Sequence, residues 1–275
     1  VSAGPSLNTP QSPFRFPHSI MLLNVHYLPQ FVAEEDLAGT TVVVIDLLRA
    51  STTITQALAS GAAGVRPFLN VGDVVRAAQG KDRAQFVLGG ERGGEIIEGF
   101  DLGNSPAEYT PEVVFGKQVL FTTTNGTAAI THARLARRIV VGCMTNLSAL
   151  VESIQEEQEV ILLCAGTNGH VSREDILAAG AMAHELQIRT PDRQPNDLAQ
   201  SALGEWQELL TTADQSRQTV RKPGLQPTFK GFVQPGHRFV GHTLAKLHHG
   251  PDTGHRLGNQ VVFIEVIDHP LIHDV

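Results

Sequence analysis

The sequence predicts an α/β protein of three-layer α/β/α architecture, with helices on both faces of a mainly parallel or mixed sheet. Short apolar runs rich in valine, isoleucine and leucine alternate along the chain with longer stretches compatible with helix, which is the order of βαβ units. The 275 residues, 41% hydrophobic and 18% charged, are enough to bury a large core. We therefore expect a single α/β domain over residues 21–275, or two lobes that divide near residue 140 or residue 190.

The apolar runs predict strands, and the last of them is expected at a sheet edge. In chain order these runs are 22–27, 41–46, 64–69, 84–88, 117–123, 138–142, 159–164 and 261–267. Helices are expected over 51–60, 71–80, 105–110, 127–136, 146–157, 173–188, 197–213 and 238–248. The proline-containing, polar segments 190–197 and 221–236 predict linkers or surface loops.

Composition restricts the class of protein. Residues 1–20 are rich in proline and serine and lack the apolar core of a signal peptide, so we expect a disordered or non-native extension before Met21. The formal net charge of −7 argues against a nucleic-acid partner, and no apolar run reaches transmembrane length.

Cys143 and Cys164 lie outside any CxxC or metal-ligand spacing, which favours reduced thiols in a cytoplasmic protein. The sequence does not fix the oligomeric state, so a homo-oligomer stays open.

The segment DLLRAST, residues 46–52, ends a predicted strand on an acid and opens a helix with an arginine and hydroxyls. Backbone N–H groups at a helix N-terminus favour an anion, and the Arg49 guanidinium would add a bidentate contact. Asp46 would repel that anion unless a divalent cation lay between them. In the alternative, structural interpretation, Asp46 pairs with Arg49 and Ser51 caps the helix. The residues alone favour neither interpretation.

The segment GGERGGEIIEGFDLGNSPAEY, residues 89–109, contains too many glycines and acids for a core element. We expect a long functional loop in which glycines flank Glu91 and Arg92 and let the backbone approach a ligand. Ser105 and Glu108 form the pattern of a capping box, which gives Ser105 a structural role.

Two further strands are followed by similar polar turns. TTTNGTAA, residues 122–129, resembles a phosphate cradle without the Walker lysine, or a tight Asn125-Gly126 turn capped by Thr127. CAGTNGHVSRED, residues 164–175, ends in a second capping-box pattern that involves Asp175. Cysteine phosphatase (Cys-x5-Arg), aspartyl-phosphate (Asp-x-Asp) and histidine phosphatase (Arg-His-Gly) signatures are absent. We expect these turns to meet at the carboxyl ends of parallel strands.

Four stretches in this order resemble the 2-phosphosulfolactate phosphatase family: VVVIDLLRASTTI, GERGGEIIEGFDLGNSPAEY, TTTNGTAAI and CAGTNGHVSREDILAAG. The resemblance covers roughly residues 21–190, whereas the last third of the chain departs from the family's usual ending. It implies a three-layer α/β/α fold and a magnesium-dependent hydrolase of a phosphomonoester. The substrate that it implies is 2-phospho-3-sulfolactate, in coenzyme M biosynthesis.

We combine these observations into a hypothesis for the site. Mg²⁺ would be held by Asp46 and Glu91, with Asp101 or Asp175 as a third ligand, although Asp46 could act instead as a nucleophile. Arg49 and Arg92 would bind the acidic oxygens of a small anionic phosphorylated substrate. The remaining expected substrate contacts come from the turns and the glycine-rich segment: Thr52, Gly93, Asn104, Asn125, Gly126, Gly166 and Thr167. The alternatives are a phosphatase for another small phosphorylated acid, or a protein that binds phosphate or sulfonate without catalysis.

Overall fold

The computed structural model describes residues 20–220 and 262–264. Its strands are β1 (Leu22–His26), β2 (Thr41–Ile45), β3 (Gly64–Pro67), β4 (Phe86–Arg92), β5 (Glu95–Ile96), β6 (Gln118–Thr122), β7 (Arg138–Val141), β8 (Glu159–Cys164), β9 (Gln194–Pro195) and β10 (Val262–Ile264). The expected extension over residues 1–19, loop 221–236 and helix 238–248 lie outside the described residues.

Helices alternate with these strands, as the sequence predicts. They are α1 (Ala50–Ala59), α2 (Val71–Ala78), α3 (Pro111–Val114), α4 (Gly126–His132), α5 (Leu147–Ile154), α6 (Arg173–Arg189) and α7 (Asp197–Val220). Short 3-10 helices add to these at Pro29–Phe31, Glu34–Leu37, Arg83–Gln85, Pro106–Glu108 and Met144–Asn146. None of the helices in the described part of the chain has both the length and the apolar character needed to cross a bilayer.

The larger sheet has six strands in the order β10-β7-β2-β8-β1-β9, and all its pairs are parallel except that of the edge strand β10 with β7. Alternate residues of β2 enter different cores: Val42 and Val44 pack with α1 and α4, whereas Val43 and Ile45 pack with α5 and α6. Burial on both faces explains why these strands are continuous apolar runs. The three-layer α/β/α arrangement and the mixed sheet are therefore confirmed.

A second sheet of four strands, in the order β3-β6-β4-β5, lies on the far side of α1 and α4. Val119 and Phe121 of β6 share a core with these helices and with β2, and Leu120 faces a smaller core beneath α2. The sequence pattern did not predict this division into two sheets. The lobe boundaries near 140 and 190 stay predictions, although both larger cores join residues from either side of 140, and the core beneath α5 and α6 also joins residues from either side of 190.

Local predictions of secondary structure differ from the model at two segments. The expected helix 105–110 is a 3-10 turn, Pro106–Glu108, and the Ser105 side chain makes no capping hydrogen bond. Glu108 accepts instead from the N–H of Gly103, so the predicted capping box is wrong. The expected loop 89–109 begins as strand, because β4 continues through Arg92.

Segment 190–197, predicted to be a linker or surface loop, contains one buried residue, Arg193, and a short edge strand. The Arg193 side chain is 1% exposed, and its guanidinium donates to the carbonyl oxygens of Leu22, Gln155 and Glu157 at 2.8–2.9 Å. Residues Gln194–Pro195 then pair with β1 as the edge strand β9. Arg193 is the one buried residue of this otherwise exposed or half-buried segment, and it anchors the segment to β1 and to the residues that follow α5.

We expect Arg193→Met to destabilise the protein by about 3 kcal/mol or more, because three buried carbonyl groups lose their donor. Urea unfolding of both proteins measures the difference. The matched control is Arg189→Met, since Arg189 is exposed at the end of α6. The control should stay within about 0.5 kcal/mol of the wild type. Equal stability losses in the two variants would contradict a structural role for Arg193.

Candidate active site

Asp46 lies at the end of β2, buried beneath the first turn of α1. Its carboxylate Oδ1 accepts the N–H of Ala50 at 3.2 Å, and its own N–H donates to Ser51 Oγ at 2.9 Å. The alternative pairing with Arg49 is wrong: the Arg49 side chain is exposed and has no ion pair among the described residues. Ser51 lies inside the helix rather than at its cap. Arg49 is therefore a free cation beside a buried carboxylate.

The N-terminus of α4 meets Asp46 from the other sheet. A Cβ added at Gly126 would lie 2.8 Å from Asp46 Oδ2 and 2.5 Å from the Cβ of Ala50. Only glycine permits this approach, and the Gly126 N–H helps to stabilise the Asp46 carboxylate. Thr127 lies inside α4 and does not cap it, contrary to the turn interpretation; its N–H donates to Thr123 Oγ1 at 3.2 Å, and its hydroxyl donates to the Thr123 carbonyl.

Glu91 occupies the end of β4 and joins it to the turn after β6. Its carboxylate accepts the N–H groups of Gly94 and Thr124, both at 2.7 Å, and the Thr124 hydroxyl at 3.1 Å. Glu91 is close enough to Asp46 that its charge raises the pKa of that carboxyl. Thr124 was not among the residues predicted for the site, although its position in a run of hydroxyls before Asn125 was a signal.

The expected glycine-rich loop contains a tight β-hairpin. β4 and β5 pair with Glu91 opposite Ile96 and Arg92 opposite Glu95, which leaves Gly93 and Gly94 as the two turn residues. Both have positive φ, +60° and +87°, as a type I′ hairpin turn requires. Gly93 thus forms the turn, and its N–H points to Thr124 Oγ1 at 3.3 Å.

Asp175 is not part of a capping box. Its Oδ1 accepts the N–H of Leu47 at 2.8 Å, and its Oδ2 accepts the N–H of Gly166 at 3.0 Å. Ser172 contacts Thr167 Oγ1 instead of capping α6. Asp175 therefore fastens the segment after β2 to the turn after β8.

The turn after β8 uses its backbone donors internally. The Gly166 N–H binds Asp175, and the Thr167 N–H donates to the His170 carbonyl at 2.8 Å. This corrects the expectation that both N–H groups are free for a ligand. Asn125 is also engaged, because its Oδ1 accepts the Asn168 N–H at 2.9 Å and so joins the turns of the two sheets.

Three other expected site residues have partners that limit their roles. Arg92 donates to the carbonyls of Glu91 and Leu69 and to Thr122 Oγ1, and the Thr52 hydroxyl donates to Leu47 at 2.8 Å. Asp101 is paired with Arg83 and accepts the Leu88 N–H. Although burial alone would raise its pKa, these contacts lower the pKa of Asp101 below its usual value.

Asn104 differs from these residues. It is buried beside the first turn of α1, where its carbonyl accepts the Thr53 hydroxyl, and its side-chain oxygen has no partner among the described residues. The structure thus places Asp46 within range of the charges of Glu91 and Asp175, whereas Asp101 is paired with Arg83.

Burial and mutual repulsion govern the charge of this cluster. Burial, with the Glu91 charge adding to it, raises the pKa of Asp46 to about 6. Burial, with the Asp46 charge adding to it, raises the pKa of Asp175 to about 7. Within the described residues, no three His, Cys, Asp or Glu side chains form a ready metal cluster. Two carboxylates can still suffice for an ion that keeps several waters.

Comparison with known proteins gives a consistent result. A family model described as 2-phosphosulpholactate phosphatase matches residues 26–223. The chain is 42% identical over 183 residues to a "Probable 2-phosphosulfolactate phosphatase" of Caldanaerobacter subterraneus subsp. tengcongensis, covering 66% of this chain and 76% of that protein. Proteins with the same name from Symbiobacterium thermophilum (44% over 167 residues, 60% and 71% covered) and Thermotoga petrophila (38% over 182 residues, 66% and 74%) are also similar.

We expect Asp46→Asn to be more stable than the wild type near neutral pH. The native pKa of about 6 exceeds the unfolded value of 3.8, so native protein binds more protons between these values. The stability from protonated Asp46 is complete below about pH 4 and is lost as the pH rises through 6. The variant's advantage should therefore grow to about 3 kcal/mol at neutral pH.

Urea unfolding across this pH range, in a chelating buffer, measures the advantage. Asp192→Asn removes an exposed carboxylate and should follow the wild-type pH profile. A difference in the free energy of unfolding between Asp46→Asn and the wild type that stays constant at every pH would show that the pKa of Asp46 is not raised in the folded protein.

Proposed function

The chain belongs to the 2-phosphosulfolactate phosphatase family, and we propose that it hydrolyses the phosphate ester of a small acidic compound, most directly 2-phospho-3-sulfolactate. The products would be 3-sulfolactate and phosphate, as in coenzyme M biosynthesis. One observation carries this proposal: buried Asp46 lies between the N-termini of α1 and α4, within range of the Glu91 charge and beside an unpaired Arg49. An anion and a cation could both bind there.

Arg49 is the group best suited to bind the phosphate. The substrate would carry about four negative charges, whereas the chain itself has a formal net charge of −7. Binding therefore depends on local positive charge, which Arg49 and the positive end of the α1 dipole supply at one position. Arg92 is the second proposed cation, although its contacts with two carbonyl groups also give it a structural role.

The donor set fits a divalent cation. Asp46 and Glu91 repel each other in a buried setting, and each has lone pairs beyond those that accept backbone hydrogen bonds. Asp175 is the third proposed ligand. Both of its oxygens already accept backbone N–H groups, so it too would bind the ion through the remaining lone pairs. We propose Mg²⁺, which takes few carboxylates and keeps several waters. When bound, the ion would neutralise charge on the phosphoryl group. Enzymes that form an aspartyl phosphate use the pattern Asp-x-Asp, and Leu48 occupies the position of the second aspartate here. The missing partner disfavours Asp46 as a nucleophile and supports its role as a metal ligand.

The proposed activity is tested with the full chain on a panel of phosphomonoesters, by phosphate release with Mg²⁺ or with a chelator. We expect 2-phospho-3-sulfolactate to give the highest kcat/KM, and the chelator to abolish turnover. Faster hydrolysis of a different phosphorylated acid would keep the chemistry and replace the substrate. Tight phosphate binding without release from any ester would overturn the catalytic proposal.

We expect Arg49→Ala to lower kcat/KM by about 100-fold or more, because a charge-assisted contact to the phosphate is lost. Its stability should be unchanged, since the side chain binds no described residue. Arg49→Lys should recover only part of the loss, because lysine cannot bind two oxygens with a planar group. Arg76→Ala, an exposed charge on α2, is the control and should keep full activity. Wild-type kinetics for Arg49→Ala would remove Arg49 from the site.

A further inference from the structure

Asn104 carries an unexplained polar atom. The residue is 8% exposed, and its side-chain oxygen is the one buried side-chain N or O atom without a hydrogen-bond partner in the described part of the chain. Buried amide groups in native proteins are nearly always paired, because an unpaired group loses its hydration and gains nothing in return. A partner from outside the protein would account for the atom.

The backbone around Asn104 is firmly held even though its side chain is not. The Gly103 N–H donates to Glu108 at 2.5 Å, and the Gly103 carbonyl accepts the Tyr109 hydroxyl at 2.7 Å. The carbonyl of Asn104 itself accepts the Thr53 hydroxyl at 3.2 Å. A fixed main chain that presents an unpaired polar group is typical of a ligand-binding residue.

The position of Asn104 relates it to both carboxylates of the proposed metal site. Thr53 belongs to the first turn of α1, which covers Asp46. The Gly90 N–H donates to the carbonyls of Leu102 and Gly103 at 3.1 and 3.2 Å, directly before Glu91 in β4. The backbone of Asn104 is therefore joined to α1, whose first turn binds Asp46, and the residues just before it contact β4 next to Glu91.

We propose that the Asn104 side-chain oxygen is a further ligand of the divalent cation, beside the carboxylates of Asp46 and Glu91. This inference rests on the metal site of the proposed function. Hard cations readily take amide oxygens, and a neutral ligand adds no charge to a pair that already repels. The terminal torsion of an asparagine side chain has a broad preference, which allows its oxygen to turn toward a ligand.

An anion is the weaker candidate for the same position. Asp46 and Glu91 would repel a phosphate oxygen placed between them, and the unpaired atom is an acceptor rather than a donor. If the amide were turned so that its nitrogen faced a phosphate, substitution would weaken phosphate binding and leave cation binding unchanged. The two arrangements are therefore separable by experiment.

The test is a titration of the full chain with Mn²⁺ in the absence of substrate. Free Mn²⁺ is measured by its electron paramagnetic resonance signal, which gives the Kd. We expect Asn104→Leu, which is similar in size and lacks the oxygen, to raise the Kd for Mn²⁺ about tenfold or more. Asn104→Asp keeps an oxygen and should bind Mn²⁺ at least as tightly as the wild type. Asn24→Leu removes an amide that is paired with Glu159 and should leave Mn²⁺ binding unchanged.

The outcomes are distinct. The inference is overturned if Asn104→Leu binds Mn²⁺ as tightly as the wild type does. This includes the case in which that variant binds inorganic phosphate more weakly while its Mn²⁺ affinity is unchanged. If Asn104→Leu fails to fold in a thermal scan, Asn104→Asp decides, and weaker Mn²⁺ binding by that variant overturns the inference. A wild type that binds no Mn²⁺ overturns both the metal site and this ligand. An Asn104-dependent Mn²⁺ site in a protein that hydrolyses no ester overturns the proposed function alone.

Discussion

The burial of neighbouring carboxylates is the constraint on which the site depends. Asp46, Glu91 and Asp175 come from three separate segments, and burial together with neighbouring charge raises the pKa of two of them. Backbone N–H groups stabilise each carboxylate but do not cancel the effect. Carboxylates with raised pKa values lower the stability of the folded state near neutral pH, as functional sites often do. A bound cation would turn the same cluster into a source of stability.

The cluster exists because two sheets meet with their carboxyl ends together. Gly126 allows the start of α4 to contact Asp46, and Glu91 ties β4 to the turn after β6. At Gly90, φ is +137° and an added Cβ would lie 1.9 Å from the Thr122 carbonyl oxygen, so only glycine lets β4 and β6 pair this closely. The hydrogen bond from the Asn168 N–H to Asn125 Oδ1 joins the turn after β8 in one sheet to the turn after β6 in the other. Tertiary contacts, rather than one strand-loop-helix motif, shape the site.

This origin explains what the sequence could and could not predict. β2 and β8 were predictable to within a residue or so, because both faces of each are buried and the apolar runs are continuous. The capping boxes at Ser105 and Ser172 failed because Glu108 and Asp175 accept from more distant backbone groups than the local pattern suggests. The burial of Arg193 had no signal at all, since three carbonyl groups from separate segments create its environment.

The two arginines near the site show how an acidic protein can bind an acidic substrate. The carbonyls of Glu91 and Leu69 hold the Arg92 guanidinium in one position, so some of its N–H donors are used within the protein. Arg49 has no described partner, so its full charge and all its donors are available when an anion arrives. Asp46, three residues earlier, does not neutralise Arg49, because its carboxylate faces Ala50 and Gly126 instead. Because the acid and the base do not pair with each other, the proposed function can assign Asp46 to a cation and Arg49 to a phosphate.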